Sequence, residues 1–465
     1  MLFTEPRFVL FFAVVFAVHW ALESNAARKL WLLATSYTFY GAWDWRFLGL
    51  IVASTLVDYV VALRLERQGA ARRAWLALSL TVNLGLLGVF KYCQFFVDSA
   101  VELARALGIQ ASPHTLGIVL PVGISFYTFQ TMSYTLDVWR GRIRATRSLL
   151  DVATFVAFFP QLVAGPIVRA SEFLPQLASP RTLARIDVRG ALILFLVGFF
   201  KKACVADNLA PIVERYFAHP EAFDLVSAWS AIVAYAVQIY CDFSGYSDMA
   251  IACAALLGYR LVLNFDFPYL ARDPSEFWRR WHISLSTWLR DYLYIPLGGN
   301  RGSSLFVARN LMLTMLLGGL WHGAAWTFVL WGGLHGIALV VHRAWRRMAE
   351  THPLRRLVRP VSMPLLVLFV VLAWVPFRAP DLATARTVGG TLLGVLPAGA
   401  SPLGRELLLW IPVLLTTHLL AARGSLSPWW QRLPLPAFAA SYATLWALAL
   451  PLVPVGFTPF LYFQF

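Results

Sequence analysis

The chain has 465 residues, 59% of them hydrophobic and 14% charged, and its mean hydropathy is +0.64. That excludes a soluble domain and points to an all-α polytopic membrane protein. The formal charge of +15 would suit a nucleic-acid partner. However, the arginines fall in short runs between apolar segments, as they do in cytoplasmic loops, so no nucleic acid is expected. Cys93, Cys204, Cys241 and Cys253 show neither CxxC nor metal-type spacing; they read as small apolar packers, with no metal site. No cleavable signal is expected at the first apolar run, which lacks both a basic start and a small-residue cleavage site.

Apolar runs at Phe8–Leu22, Leu30–Trp43, Phe47–Leu63 and Trp75–Phe90 are each roughly long enough to span with tilt. Arg64, Arg67, Arg72 and Arg73 put the loop after the third run in the cytoplasm. Asp98 to Thr115, with one arginine against two acids, is placed outside. A fifth span, Leu116–Leu136, returns to Arg140, Arg142, Arg144 and Arg147. This alternation sets the N-terminus outside. Val152–Val168 is apolar but has arginines on both flanks, and Pro160, Gly165 and Pro166 interrupt it. It reads as a re-entrant segment, of a kind that survives at membrane depth only when buried in protein or lining a wet cavity. A short kinked span is the other reading.

Ala191–Ala206 crosses outward, and Val226–Leu257 returns. The latter is too long for one straight pass and is expected to be broken around Cys241 to Asp248. Asp242, Ser244, Tyr246, Ser247 and Asp248 either line a wet interior path or bond helix to helix. Six arginines from Arg260 to Arg301 make the next stretch cytoplasmic. Asp273 reads as an N-cap, with Pro274 at the first helical position and Glu276 closing a capping box. The helix that follows places Phe277, Trp281, Leu285, Trp288 and Tyr292 on one face, as an interfacial helix or one dipping into the protein. His282 rides on it and, taken alone, reads as a solvated surface residue. The glycine-rich turn from Pro296 to Gly302 could offer N–H groups to phosphate.

Leu305–Val341 is apolar on both sides of His322, with cytoplasmic arginines at both ends, which predicts a hairpin. Gly318, Gly319 and Gly323 would admit a close backbone there, and Trp321 and Trp326 would line a pocket. A histidine at that depth is costly without a partner or a task; it serves either as glue between helices or as a functional group. Spans at Val361–Phe377, Leu407–Ala421 and Ala437–Val455 complete about ten crossings and two re-entrant or hairpin elements around a central channel. Both termini are outside, the end from Phe457 to Phe465 included. One membrane-embedded domain, 1–465, is expected, with a core at about 120–345 flanked by helices in 1–115 and 361–465. No fixed-period repeat appears.

Soluble-enzyme motifs such as GxSxG, HExxH and the P-loop are missing. What remains is His282 near a basic mouth and His322 in the interior. Burial favours a neutral imidazole, which can act as a general base. No serine or cysteine stands beside either one in a nucleophile motif, so direct transfer from a bound activated donor is the simpler chemistry.

DPSEFWRRWHISLSTWLRDYLYIPLGGNR (273–301) and GGLWHGAAWTFVLWGGLHG (318–336) resemble the signature of the membrane-bound O-acyltransferase family. Within it the likeness is to the branches that acetylate alginate and that transfer D-alanine to teichoic acid. FFPQLVAGPIVR, DFSGYSDMAIACAALLGY, NFDFPY and the aromatic end FLYFQF extend the likeness over most of the chain from about Pro121. The resemblance implies an acyltransferase of the bacterial inner membrane. His322 would be the essential histidine, as base or acyl-handling residue, and His282 the donor-side one. Asp242, Asn264, Arg280, Trp321 and Arg301 would line the channel or bind substrate. No bound cofactor is implied. The donor would be acetyl-CoA or another acyl thioester on the cytoplasmic side; on the outer side, a polysaccharide or a periplasmic acetyltransferase partner would receive the acyl group. A transporter that leaves the final transfer to a partner is the alternative.

Overall fold

The computed structural model describes residues 1–67, 69–112, 116–349, 360–404, 416, 418–424 and 429–456. Described residues are helical or irregular, with no strand and one isolated bridge between Phe223 and Ser401. Among the described residues, five helical stretches are long and apolar enough to cross a membrane: Asn25–Leu65, Arg72–Ala106, Leu225–Leu256, Ser304–His322 and Leu435–Leu452. Pro6–Ala21 and Ser362–Arg378 are shorter apolar helices. Most of the expected span Leu407–Ala421, and the end from Phe457, lie outside the described residues. Two compact units form, Met1–Ala191 with Ala250–Val262, and Leu192–Met249 with Leu263–Phe465.

The first unit packs Pro6–Ala21, Asn25–Asp44, Leu48–Leu65, Arg72–Leu87 and Ile124–Trp139. An apolar environment makes an unpaired polar group expensive, so the polar side chains inside it bond to one another. Ser79 Oγ and Asn83 Nδ2 donate to the two carboxylate oxygens of Asp58 at 2.5 and 2.8 Å. Ser54 and Thr131 hydroxyls donate to Asn83 Oδ1 at 2.9 and 3.0 Å. Leu48–Leu65, Arg72–Leu87 and Ile124–Trp139 are thereby tied together. The expected fifth span starts later than its apolar run: Leu116–Val122 is irregular, and the helix begins at Ile124 after Gly123 turns left-handed at φ 74°. The expected loop from Asp98 is helical through Ala106, because Cys93–Ala106 continues the preceding helix.

Residues 152–168 are buried throughout. Their helix, Leu149–Ala157, breaks at Phe158, resumes for Phe159–Leu162, and is followed by irregular backbone to Arg169. The break is satisfied locally: Gln161 Nε2 donates to Phe155 O at 2.6 Å, and Ser36 Oγ accepts from Phe159 N–H at 3.1 Å. Burial in protein is the condition that non-helical backbone needs at membrane depth.

In the second unit the hairpin is formed by Ser304–His322 and Trp326–Ala349, which touch along their length. A Cβ on Gly319 would lie 2.2 Å from Phe328 O, and one on Gly332 would lie 2.3 Å from Met315 O. These are backbone-to-backbone contacts that only glycine permits. Gly323 faces the Phe328 ring and Gly318 the Leu289 side chain, so the expected close backbone is found at Gly319 and not at these two. Leu225–Leu256 is one unbroken helix of 32 residues, roughly 48 Å long, so the expected interruption at Cys241–Asp248 is absent. Its two aspartates are ion-paired rather than helix-breaking. Asp242 Oδ1 and Asp207 Oδ1 each lie 2.6 Å from Lys202 Nζ, and Asp248 lies 2.7 Å from Lys201. Gly245 meets Gly198 there, each within 2.6 Å of the other's carbonyl once a Cβ is built.

Candidate active site

The cap read from the sequence starts the site. Asp273 accepts from Glu276 N–H at 2.8 Å, Glu276 accepts from Arg272 N–H at 2.9 Å, and Pro274 opens the helix Pro274–Arg280. That helix does not continue through His282 as the aromatic stripe suggested. His282 stands in the left-handed region, at φ 44° and ψ 54°, and a second helix, Ile283–Leu289, follows. The stripe is nonetheless buried at Phe277, Trp281, Leu285, Trp288 and Tyr292, so the segment dips into the protein. His282 is fully buried, not solvated.

A side chain in this backbone region costs on the order of 1–3 kcal/mol and persists only where its surroundings hold it. Asn264 does the holding. Its carbonyl accepts from Ile283 N–H at 2.9 Å, and its Oδ1 accepts from Ser284 N–H at 3.3 Å and from the Ser284 hydroxyl at 2.8 Å. His282 Nδ1 lies 3.2 Å from the same Oδ1, and Asn264 Nδ2 donates to Ser247 Oγ at 3.1 Å. Burial pushes the His282 imidazole down to about 3, so it is neutral at physiological pH.

His322 closes the first arm of the hairpin, where Gly323 turns extended at φ −157°. It is 3% exposed. Its ring centroid lies 5.1 Å from Trp321, 5.0 Å from Trp331 and 5.3 Å from Phe377. The two histidines, 40 positions apart in sequence, stand 6.2 Å apart between ring centroids. Phe243 meets His282 edge-on at 4.6 Å, and Trp321 stands 5.9 Å from it. The pair is walled by aromatic faces.

Of the residues expected at the site, the structure brings Trp321 and Asn264 to the histidines. Trp326 is half exposed, and its expected place is taken by Trp331, because Phe328, Trp331 and His335 share the inward face of the return helix at i, i+3 and i+7. That spacing was a usable signal for Trp331; Phe243 and Phe377 carried none. Arg280 turns to Glu276 at 2.9 Å and to Asp266 at 3.7 Å, and Arg301 is exposed in its glycine-rich turn. Asp242 is engaged by Lys202, which no motif in the sequence marks.

This paired, buried arrangement sits inside a recognisable sequence frame. The description "MBOAT, membrane-bound O-acyltransferase family" matches residues 140–374, half of the chain, with both histidines inside the match. Relatives agree along the whole length. The chain is 40% identical over 509 residues to the "Probable alginate O-acetylase" of Azotobacter vinelandii, covering all of both proteins.

The chain belongs to the membrane-bound O-acyltransferase family.

It is also 45% identical over 391 residues to the Pseudomonas aeruginosa protein of the same description, covering 83% of this chain and 73% of that one. With the "Peptidoglycan O-acetyltransferase" of Helicobacter pylori it shares 39% identity over 443 residues, 87% of this chain and 82% of that protein. As a member of the family the protein is a membrane-embedded O-acyltransferase that uses an acyl donor.

Proposed function

We propose that this O-acyltransferase carries acetyl from a cytoplasmic thioester, acetyl-CoA, to a hydroxyl of a cell-surface or exported polysaccharide of the alginate type, directly or through a periplasmic partner protein. It would do so in the bacterial inner membrane, with both termini on the periplasmic side. The observation that carries the reading is the pair of buried imidazoles 6.2 Å apart in an aromatic enclosure, close enough for one reacting group to be reached from both. In the transfer, His322 takes the proton of the acceptor hydroxyl. The oxygen attacks the thioester carbonyl, a C–O bond forms, and the C–S bond breaks. The thiolate leaves and receives the proton from His322, so that ester and free thiol are the products. A correctly placed base of this kind contributes roughly 10²–10⁴-fold. The relatives' names, acetylases of alginate and of peptidoglycan, support acetyl as the group and a glycan as the acceptor.

The test is purified protein in liposomes, given labelled acetyl-CoA and alginate, peptidoglycan, cellulose or teichoic acid as acceptor. His322→Ala and His322→Gln should both lose transfer by about 10² or more, with expression and thermal stability near wild type. Glutamine keeps hydrogen bonding but takes up no proton at neutral pH. A Gln variant with substantial activity would make His322 a positioning group. Label that crosses the bilayer without any acetylated acceptor would favour a transporter.

A further inference from the structure

We infer that Asn264 is a positioning residue that locks His282 in the tautomer with the proton on Nδ1, so that Nε2 faces the reaction as a lone pair. The geometry decides the protonation pattern. A backbone N–H can only donate, so the Asn264 side-chain atom that receives Ser284 N–H must be oxygen. The nitrogen of that amide is then the atom at Ser247, and it donates to the hydroxyl there. His282 Nδ1 lies 3.2 Å from that oxygen and 3.5 Å from Ser284 Oγ, and because the Ser284 hydroxyl gives its hydrogen to the oxygen at 2.8 Å, Nδ1 is the donor in a neutral ring. Nε2 is left as the acceptor nitrogen.

Position reinforces tautomer. Asn264 bonds to the backbone N–H groups of both residues after His282, through its carbonyl and its side chain, and so fixes the left-handed turn that aims the ring. Asn264 and His282 are both fully buried, so water does not compete for these bonds. A histidine so held can accept a proton or a hydrogen bond from substrate but cannot give a proton to a departing thiolate. The assignment rests on the reading of the histidine pair as the reaction centre.

The experiment separates the two. Protein labelled with ¹⁵N-histidine and reconstituted in liposomes is examined by solid-state NMR, with His282→Gln identifying the His282 signals by their loss. Wild type should show the neutral Nδ1–H form. Asn264→Leu should convert the signals to the Nε2–H form or a mixture and lower acetyl transfer toward the loss seen in His282→Gln, about 10²-fold. Asn264→Asp keeps the acceptor oxygen, so the Nδ1–H form should persist. An Nε2–H ring in wild type, or an Nδ1–H ring unchanged in Asn264→Leu, overturns the inference whatever the activity. If the tautomer behaves as expected but His282→Gln retains full transfer, the site reading fails while the tautomer assignment stands. An Asn264→Leu protein that does not fold leaves the decision to the wild-type and Asn264→Asp spectra, which must both show Nδ1–H.

Discussion

Removing one charge from a buried ion cluster tests what Asp242 is for. Lys202 has a side chain 3% exposed and sits 2.6 Å from both Asp207 and Asp242, whose side chains are 12% and 3% exposed. Lys202→Met preserves length and apolar bulk but leaves two carboxylates buried without their cation. Breaking a buried pair in this way costs about 3–5 kcal/mol, because the remaining charge keeps its desolvation cost and loses its attraction. At 25 °C that is a shift on the order of 10²–10⁴ in the folded-to-unfolded ratio. Adding Asp207→Asn and Asp242→Asn should restore most of the loss, since neutral amides no longer need the cation. Chemical unfolding in mixed micelles, read by tryptophan fluorescence, measures the single and triple variants. A Lys202→Met protein within about 0.5 kcal/mol of wild type would refute the argument, as would a triple variant no more stable than the single. Asp242 would then have to be reassigned from helix pairing to the substrate path.

The hairpin predicts that Gly332→Val, whose Cβ would lie 2.3 Å from Met315 O, lowers the unfolding midpoint by overpacking worth about 1–3 kcal/mol or more, whereas Gly333→Ala, with its nearest neighbour at 3.6 Å, behaves as wild type. Equal midpoints for the two variants would mean that the helices separate freely. Single cysteines at positions 72, 144, 280 and 347 should resist an impermeant thiol reagent in intact cells until the membrane is opened; labelling at 347 from outside would contradict the hairpin's orientation. Arg280→Ala and Arg301→Ala should raise the KM for acetyl-CoA more than they lower kcat, the pattern of lost ground-state binding, and unchanged KM in both would remove them from donor binding.

The all-helical class, the hairpin and the Asp273 cap were legible because each is encoded locally. Runs of apolar residues, arginines at their ends, and the Asp273-Pro274-x-Glu276 pattern all act within a few turns of chain. The break at His282 was not legible. Its aromatic stripe keeps helical spacing on either side, and the bonds that hold the turn come from Asn264, 18 positions earlier. The same holds for the helix Leu225–Leu256. The aspartates that looked like part of an interruption, Asp242 and Asp248, are paired by Lys202 and Lys201 from another helix, and such partners cannot be found by reading one segment at a time. Trp326 and Trp331 are equally apolar on paper. What separates them is the spacing of Trp331 with Phe328 and His335 on one face of the return helix, a pattern that composition alone does not show.

The glycine contact of the hairpin also divides the enclosure into a stiff wall and an adaptable one. His322 and Trp331 ride on two helices whose main chains touch at Gly319 and Gly332, so neither can be shifted by exchanging side chains at the seam. Phe377 and Trp374, on Ser362–Arg378, meet Trp331 through ring-to-ring contacts at 5.0 and 5.8 Å. Side chains can be trimmed there without moving a backbone. Attempts to make this enzyme accept a longer acyl chain therefore belong at positions 374 and 377, where volume can be removed while the backbone that carries His322 stays fixed.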